Sequence, residues 1–358
     1  DIFVRDLGTS QTSRASVGVA NVQSDGSSLN PEISGNGRYV VFESQATNLV
    51  AGGTSGITEI YLRDLSTGTT IRVALDSNEI PANGQSERPA ISADGRFVAF
   101  DSIASNLATD DTNGVEDIFV RDLVLTTTTR VSVDSNDLQG DGFSARPSLS
   151  SDGRYVSFES QATNLVAGDT NGTWDTFVRD RTDRVTTRVS VSSSEVEALG
   201  GSFVTSISAN GRYVVFESEA NNLESGDFNG NQDIFVRDSV AGTTARISRD
   251  LAPALGNGSS GQAAMDLSGR YVVFASAASN LVSTDGNGAD DVFLRDMESG
   301  TFSLVSKNSA GVQANGFSFD PSISADGRLV AFMSDARNLD PSDTTIWLDI
   351  FVRDLTAG

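Results

Sequence analysis

The 358-residue sequence contains neither cysteine nor histidine. Their absence excludes thiol nucleophiles, disulfides, zinc sites built on imidazole or thiolate, and every Ser-His or Cys-His catalytic pair. Basic residues are scarce as well, 25 against 48 acidic ones for a formal charge of −23, and lysine occurs once, at Lys307. A field of that sign repels phosphate backbones and anionic lipid, so no nucleic-acid partner is expected and cations are the natural counter-ligand. No apolar run approaches the length of a membrane span, and membrane insertion is not expected. High acid with little lysine suits a salty or extracellular setting, and a skewed genomic base composition would replace lysine by arginine equally well; an extracellular or cell-surface location is expected, with the periplasm as the alternative, whereas the lack of cysteine assigns no compartment.

A fixed period is present instead. The stretch Asp-Ile-Phe-Val-Arg-Asp opens the chain at Asp1, and versions of it begin at Glu59, Asp117, Asp175, Asp233, Asp291 and Asp349, each 58 residues after the last. A second marker, Gly-Arg followed by Tyr, Phe or Leu, keeps the same step from Gly37 to Gly327. An unbroken period of this size is one supersecondary unit repeated, because a single unit cannot bury its apolar faces and neighbours must stack to close a core. Six periods nearly exhaust the length, so residues 1–358 are expected to form one domain. The chain starts with Asp1 in mid-repeat, as expected of a processed or trimmed piece.

One repeat displays the elements. Pro147–Gly153 reads as a short strand ending in an Asp-Gly turn, and Arg154–Ser160 alternates aromatic and β-branched residues as a second strand. A long connection leads to a third strand at Asp175–Asp180, and Thr186–Val191 forms a fourth. Four short antiparallel strands without helical periodicity, six times over, predict an all-β, six-bladed β-propeller. The run Ser-Ala-Asp-Gly-Arg-Phe-Val-Ala-Phe from Ser92 to Phe100, followed by Asp-Ile-Phe-Val-Arg-Asp-Leu from Asp117, resembles the WD-repeat-like blade of the TolB family of β-propellers. That resemblance covers all six repeats and implies a periplasmic propeller that grips a protein or peptide at its channel mouth.

Counting strands gives one third strand too many. The strand near Arg14 is expected to complete the blade that contains Gly327, so that residues 1–18 and 349–358 join in the last blade. Asp1–Asp6 and Asp349–Asp354 then compete for one place. The loser is free to pair with another molecule, which predicts self-association by terminal strand exchange.

Within the long connection sits Asp-x-Asn-Gly-x-x-Asp. It supplies Asp111, Asn113 and Asp117; Asp169, Asn171 and Asp175; Asp227, Asn229 and Asp233; and Asp285, Asn287 and Asp291. Oxygen donors at alternate positions around a glycine suit a hard cation, and about four Ca²⁺ sites are expected; the same residues also build tight turns without any metal. Blade one, with Gly53, Ser55, Gly56 and Glu59, and blade six, with Asp343, Thr345, Ile346 and Asp349, lose the pattern and are expected to be vacant. The preceding Ser-x-Ala-x-Asn-Leu, as at Ser44–Leu49, persists in those blades and reads as structural. So does the Arg-Asp pair ending each third strand, taken as an inter-blade or turn ion pair.

Nearly every carboxylate lies on a recurring position, and the irregular residues are few: Trp174, Trp347, Lys307, Met265 and Phe228. The chain is therefore expected not to be an enzyme, but a calcium-binding structural, adhesive or surface-assembly module with a protein or polysaccharide partner. A TolB-like binder is the first alternative, and a calcium-assisted enzyme acting on polysaccharide is the second.

Overall fold

The computed structural model describes residues 1–52, 56–249, 256–283, 285–345 and 347–356, so Gly53, Ser55 and Ile346 of the two degenerate loops lie outside the described residues. The fold is an all-β, six-bladed β-propeller. Its only helical element among the described residues is a 3₁₀ turn, Val19–Asn21. The chain divides into two compact units, Asp1–Thr170 with Val178–Thr187, and Asn171–Phe177 with Arg188–Gly358.

Blade two shows the plan: Ser86–Ile91, Phe97–Ser102, Asp117–Asp122 and Thr127–Arg130 lie side by side in that order, all antiparallel. Blades one, three, four and five repeat it with four strands each, and the 58-residue step is visible in every element. The first strands begin earlier than the sequence suggests, Ser144–Leu149 in blade three, and the fourth strands end sooner, Val185–Arg188. Alternate residues of the second and third strands are buried on both faces. Phe100 stacks on Phe119 at 6.1 Å between ring centroids, and Phe42 on Tyr61, Phe216 on Phe235 and Phe274 on Phe293 repeat the contact. Fully burying one such side chain contributes about 1.5–3 kcal/mol.

The end sheets differ from the expectation. Phe3–Asp6 pairs with Gln11–Arg14, with Phe3 opposite Arg14, and the final sheet holds Ser318–Ile323, Leu329–Ser334 and Asp349–Asp354. The Arg14 strand thus keeps its local partner instead of completing the sheet of Gly327. A hairpin closes over a few residues, whereas pairing with a strand hundreds of residues away carries a larger loop-closure entropy.

Consecutive blades are tied by two polar devices. Each first strand carries a bulge with positive φ, such as Arg88 (φ 47°) and Gln262 (φ 57°), which takes one backbone N–H out of the ladder. The preceding blade's second strand accepts it: Arg88 N–H donates to Glu43 Oε2 at 2.9 Å, and Arg146 N–H to Asp101 Oδ2 at 3.1 Å. Ala275 stands where that carboxylate would precede blade six, and the Asp320 N–H donates instead to Gln262 Oε1 at 3.1 Å. The second device is the Arg-Asp pair at the end of the third strand, whose two members separate. Arg121 reaches back to the Asp76 carbonyl at 2.9 Å and to Glu79, while Asp122 accepts a bidentate pair from Arg96 of its own blade at 3.0 and 2.7 Å. The Arg96 guanidinium pulls the Asp122 carboxyl down to about 2.

The Gly-Arg-aromatic marker also has a packing reason. Gly95 adopts φ +78°, and the Tyr39 ring of the preceding blade lies against it so closely that a Cβ would overlap the ring; Phe97 on Gly153 and Tyr213 on Gly269 repeat this. Gly114, with φ +68°, has nothing within 4 Å. A left-handed backbone costs a non-glycine residue about 1–2 kcal/mol, and overlap in a packed site a further 1–3 kcal/mol. Gly95→Ala is therefore expected to destabilise by about 2–5 kcal/mol in denaturant unfolding and Gly114→Ala by only about 1–2 kcal/mol; equal losses would show that the aromatic contact is not what selects glycine.

Candidate metal centre

The Asp-x-Asn-Gly-x-x-Asp loops place their residues as the spacing suggests, around a centre that the loop pattern alone does not reveal. In blade two Asp117 begins the third strand with its side chain fully buried. Ser132 Oγ donates to its Oδ1 at 2.5 Å, and Asn113 Nδ2 donates to its Oδ2 at 3.1 Å and to the Gly140 carbonyl at 3.0 Å. Gln139 Nε2 bridges Asp111 Oδ1 at 3.0 Å and Asp117 Oδ2 at 3.2 Å. Burial pushes the Asp117 carboxyl up, against the pull of Ser132 and Arg130.

The cation in this centre is an arginine. Arg130, from the end of the fourth strand and 3% exposed, holds Nη1 3.8 Å from both Asp111 and Asp117 and Nη2 3.0 Å from Asp110. In blade four Arg246 Nη1 lies 2.8 Å from Asp227 and 3.3 Å from Asp233, and Asn229 Nδ2 donates to Asp233 at 3.1 Å. In blade three Arg188 Nη1 lies 2.5 Å from Glu197 and 3.5 Å from Asp175, to which Asn171 Nδ2 donates at 2.7 Å. Asp169, half-buried, belongs to the first unit. Blade one, expected to be vacant, has the same arginine: Arg72 Nε is 3.0 Å from Glu59.

Blade five is the exception. The 58-residue step from Arg72 through Arg130, Arg188 and Arg246 arrives at Leu304. Asp285 and Asp291 are bridged by Gln313, whose Nε2 donates to them at 2.8 and 2.7 Å, while Ser306 Oγ donates to Asp291 at 2.5 Å and Asn287 Nδ2 to the Ala314 carbonyl at 2.9 Å. Among the described residues no arginine or lysine pairs with either carboxylate, and burial pushes the Asp291 carboxyl up. Two carboxylates on one amide leave this centre two charges short of the neutrality that arginine approaches elsewhere.

The arginines were legible as a recurrence at the 58-residue step, but an arginine ending a strand is ordinary surface composition until the strand is known to fold over an acidic loop. The Asn of the preceding segment is structural, as expected: Asn106 Nδ2 donates to the Pro81 carbonyl at 2.9 Å, and its Oδ1 accepts the Asn83 N–H at 2.9 Å. Of the irregular residues, Met265 is buried, while Phe228 and Trp347 stand in solvent.

No family model matches the chain, and no curated protein does. Solved structures do. An oligogalacturonate lyase in complex with manganese is 12% identical, with 99% of this chain and 82% of that one covered and a TM-score of 0.57. A prolyl endopeptidase is 12% identical over 99% of this chain and 46% of that one, with a TM-score of 0.56. TolB from Acinetobacter baumannii, the family resembled by the blade pattern, is 15% identical over 79% of this chain, with a TM-score of 0.45; the chain spans 58% of its length. At these identities the likeness is one of fold.

The expectation that the chain is not an enzyme is corrected by this comparison. Structures of the same fold include a lyase and a peptidase. The fold is shared by enzymes and non-enzymes, so the recurrence of carboxylates on the 58-residue step of this chain decides nothing about catalysis.

A buried carboxylate left without its cation costs about 3–5 kcal/mol. Arg246→Leu, which makes blade four like blade five, is expected to lower unfolding stability by that amount in a calcium-free buffer. A loss under about 1 kcal/mol would show that the arginine is incidental to the loop.

Proposed function

We propose that this chain is a cation-stabilised propeller serving as a structural and assembly module at the extracellular surface, with the periplasm as the alternative setting. Ca²⁺ is the cation of the loops. Asp285, Asn287 and Asp291 take it directly, and the loops of Asp111, Asp169 and Asp227 meet the same need with arginine, so calcium competes there with a guanidinium. An ion bound only by the folded state stabilises it by about 2.7 kcal/mol at one hundred times its dissociation constant.

The observation that carries the assembly reading is one hexapeptide in two environments. Asp-Ile-Phe-Val-Arg-Asp at Asp233–Asp238 is flanked by strands on both edges, and its Ile234 and Val236 are 0% and 4% exposed. The identical Asp349–Asp354 pairs on one edge only, and its Ile350 and Val352 are 68% and 47% exposed. The free edge and apolar face fit a fourth strand and its neighbour, and the strand that fits by sequence is Gln11–Arg14 of a second copy. A polysaccharide partner is the second reading, supported by Trp347, 74% exposed two residues before that strand and free to stack on a sugar face.

Sedimentation velocity over a range of concentrations with calcium present tests the reading. Association is expected for the intact chain and is expected to vanish in Ile350→Asp with Val352→Asp, whose melting temperature should be unchanged. A monomer at every concentration would overturn it.

A further inference from the structure

We propose a second site for a hard divalent cation, of the calcium class, in blade two, formed by Glu87, Asp101 and Glu116 and distinct from the Asp-x-Asn-Gly loops. The three come from neighbouring places in one sheet. Glu87 on the first strand pairs in register with Asp101 on the second, and Glu116 immediately precedes the third strand. Each offers one carboxylate oxygen, and these oxygens all lie within 4.8 Å of one another. Oxygens on opposite sides of a calcium ion stand about 4.6–5.2 Å apart, twice its bond length, which this cluster matches; the tighter magnesium shell would require contraction.

Two further observations point to a missing cation. The Asp101 side chain is 0% exposed, and its Oδ1 has no hydrogen-bond partner among the described residues, a costly state for a buried carboxylate oxygen. Its Oδ2 is already taken by Arg88 Nη1 at 2.7 Å and the Arg146 N–H at 3.1 Å. The charge is also incomplete: among the described residues Arg88 is the guanidinium paired with the three, 3.5 Å from Glu87 and 3.8 Å from Glu116, so three carboxylates face one positive charge, and Glu43, which accepts the Arg88 N–H, adds a fourth carboxylate beside them. A divalent ion balances Glu87, Asp101 and Glu116 against Arg88. Glu87 and Glu116 are about a quarter exposed and leave a path from solvent.

The other blades lack the arrangement. Blade three carries Ala145, Glu159 and Trp174 at the corresponding positions, and Arg146 meets Glu159 one to one at 2.5 Å. Blade four carries Phe203, Glu217 and Gln232, and blade five Gly261, Ala275 and Asp290. Blade two alone converges three carboxylates here, so the site is a feature of one blade and not of the repeat.

Calcium titration calorimetry on the intact chain and two variants tests the proposal. Glu87→Gln with Glu116→Gln alters partly exposed positions and keeps Asp101 and Arg88, so the fold should survive, as checked by circular dichroism and the melting curve. This variant is expected to bind one calcium fewer per chain, or to bind it at least 100-fold more weakly, while Asp285→Asn keeps that ion. If the double variant binds calcium with the stoichiometry and affinity of the parent, or if Asp285→Asn removes all calcium binding, the proposal is overturned. Because the two variants address different centres, failure of this site and failure of the loop reading give different titrations.

Discussion

Blades one to five bury the carboxylate that opens the third strand, Glu59, Asp117, Asp175, Asp233 or Asp291, and the rest of the blade is arranged around keeping that charge compensated. Desolvating a carboxylate costs several kcal/mol, recovered only by good partners on every side. In blades two to five the serine after the fourth strand supplies one, as Ser132 does for Asp117 and Ser248 for Asp233, while blade one has Ala74 there. The serine hydroxyl also accepts the N–H of the next residue in the third strand, Ile118 or Ile234, so the same contact fixes strand register. In blades one to four the arginine that ends the fourth strand supplies the charge. Fourth strand, acidic loop and third strand are thereby held at one corner, and the hydrophobic faces are set at the height where the aromatic pairs meet.

This arrangement recasts what an acidic repeat protein is. The net charge of −23 suggests a molecule that depends on external cations, yet four of the five buried carboxylates that open the third strands, Glu59, Asp117, Asp175 and Asp233, are answered internally by arginines at the 58-residue step. Carboxylates without a matching arginine are concentrated where the repeat departs from itself, at Leu304 and in the cluster around Asp101. Departures from the repeat carry more functional information here than the repeat does.

The fold was legible because its signals are local and repeated: an Asp-Gly turn beside a period-two strand needs no distant partner to be read. The Asn-Leu segment and the Gly-Arg-aromatic marker were legible for the same reason. The place of the Arg14 strand was not, because strand counting treats two edges as equivalent, while loop-closure entropy favours the partner a few residues away. The loop centres were half legible. Asp111, Asn113 and Asp117 are adjacent in sequence and do converge, but Arg130 and Gln139 reach them from the following strand and the loop beyond it, and neither residue type advertises the role. Glu87, Asp101 and Glu116 are separated by 14 and 15 residues and become neighbours only when three strands are laid in register.

The central claim is that arginine and calcium are alternative answers to one electrostatic requirement, and Leu304→Arg tests it most directly. Thermal unfolding of the parent and of this variant would be followed with calcium and with chelator, in a Glu87→Gln, Glu116→Gln background that removes the other candidate ion. The account predicts that the parent loses stability on chelation and that Leu304→Arg in chelator melts near the calcium-loaded parent and no longer responds to calcium. A calcium response of the same size in both proteins would contradict it.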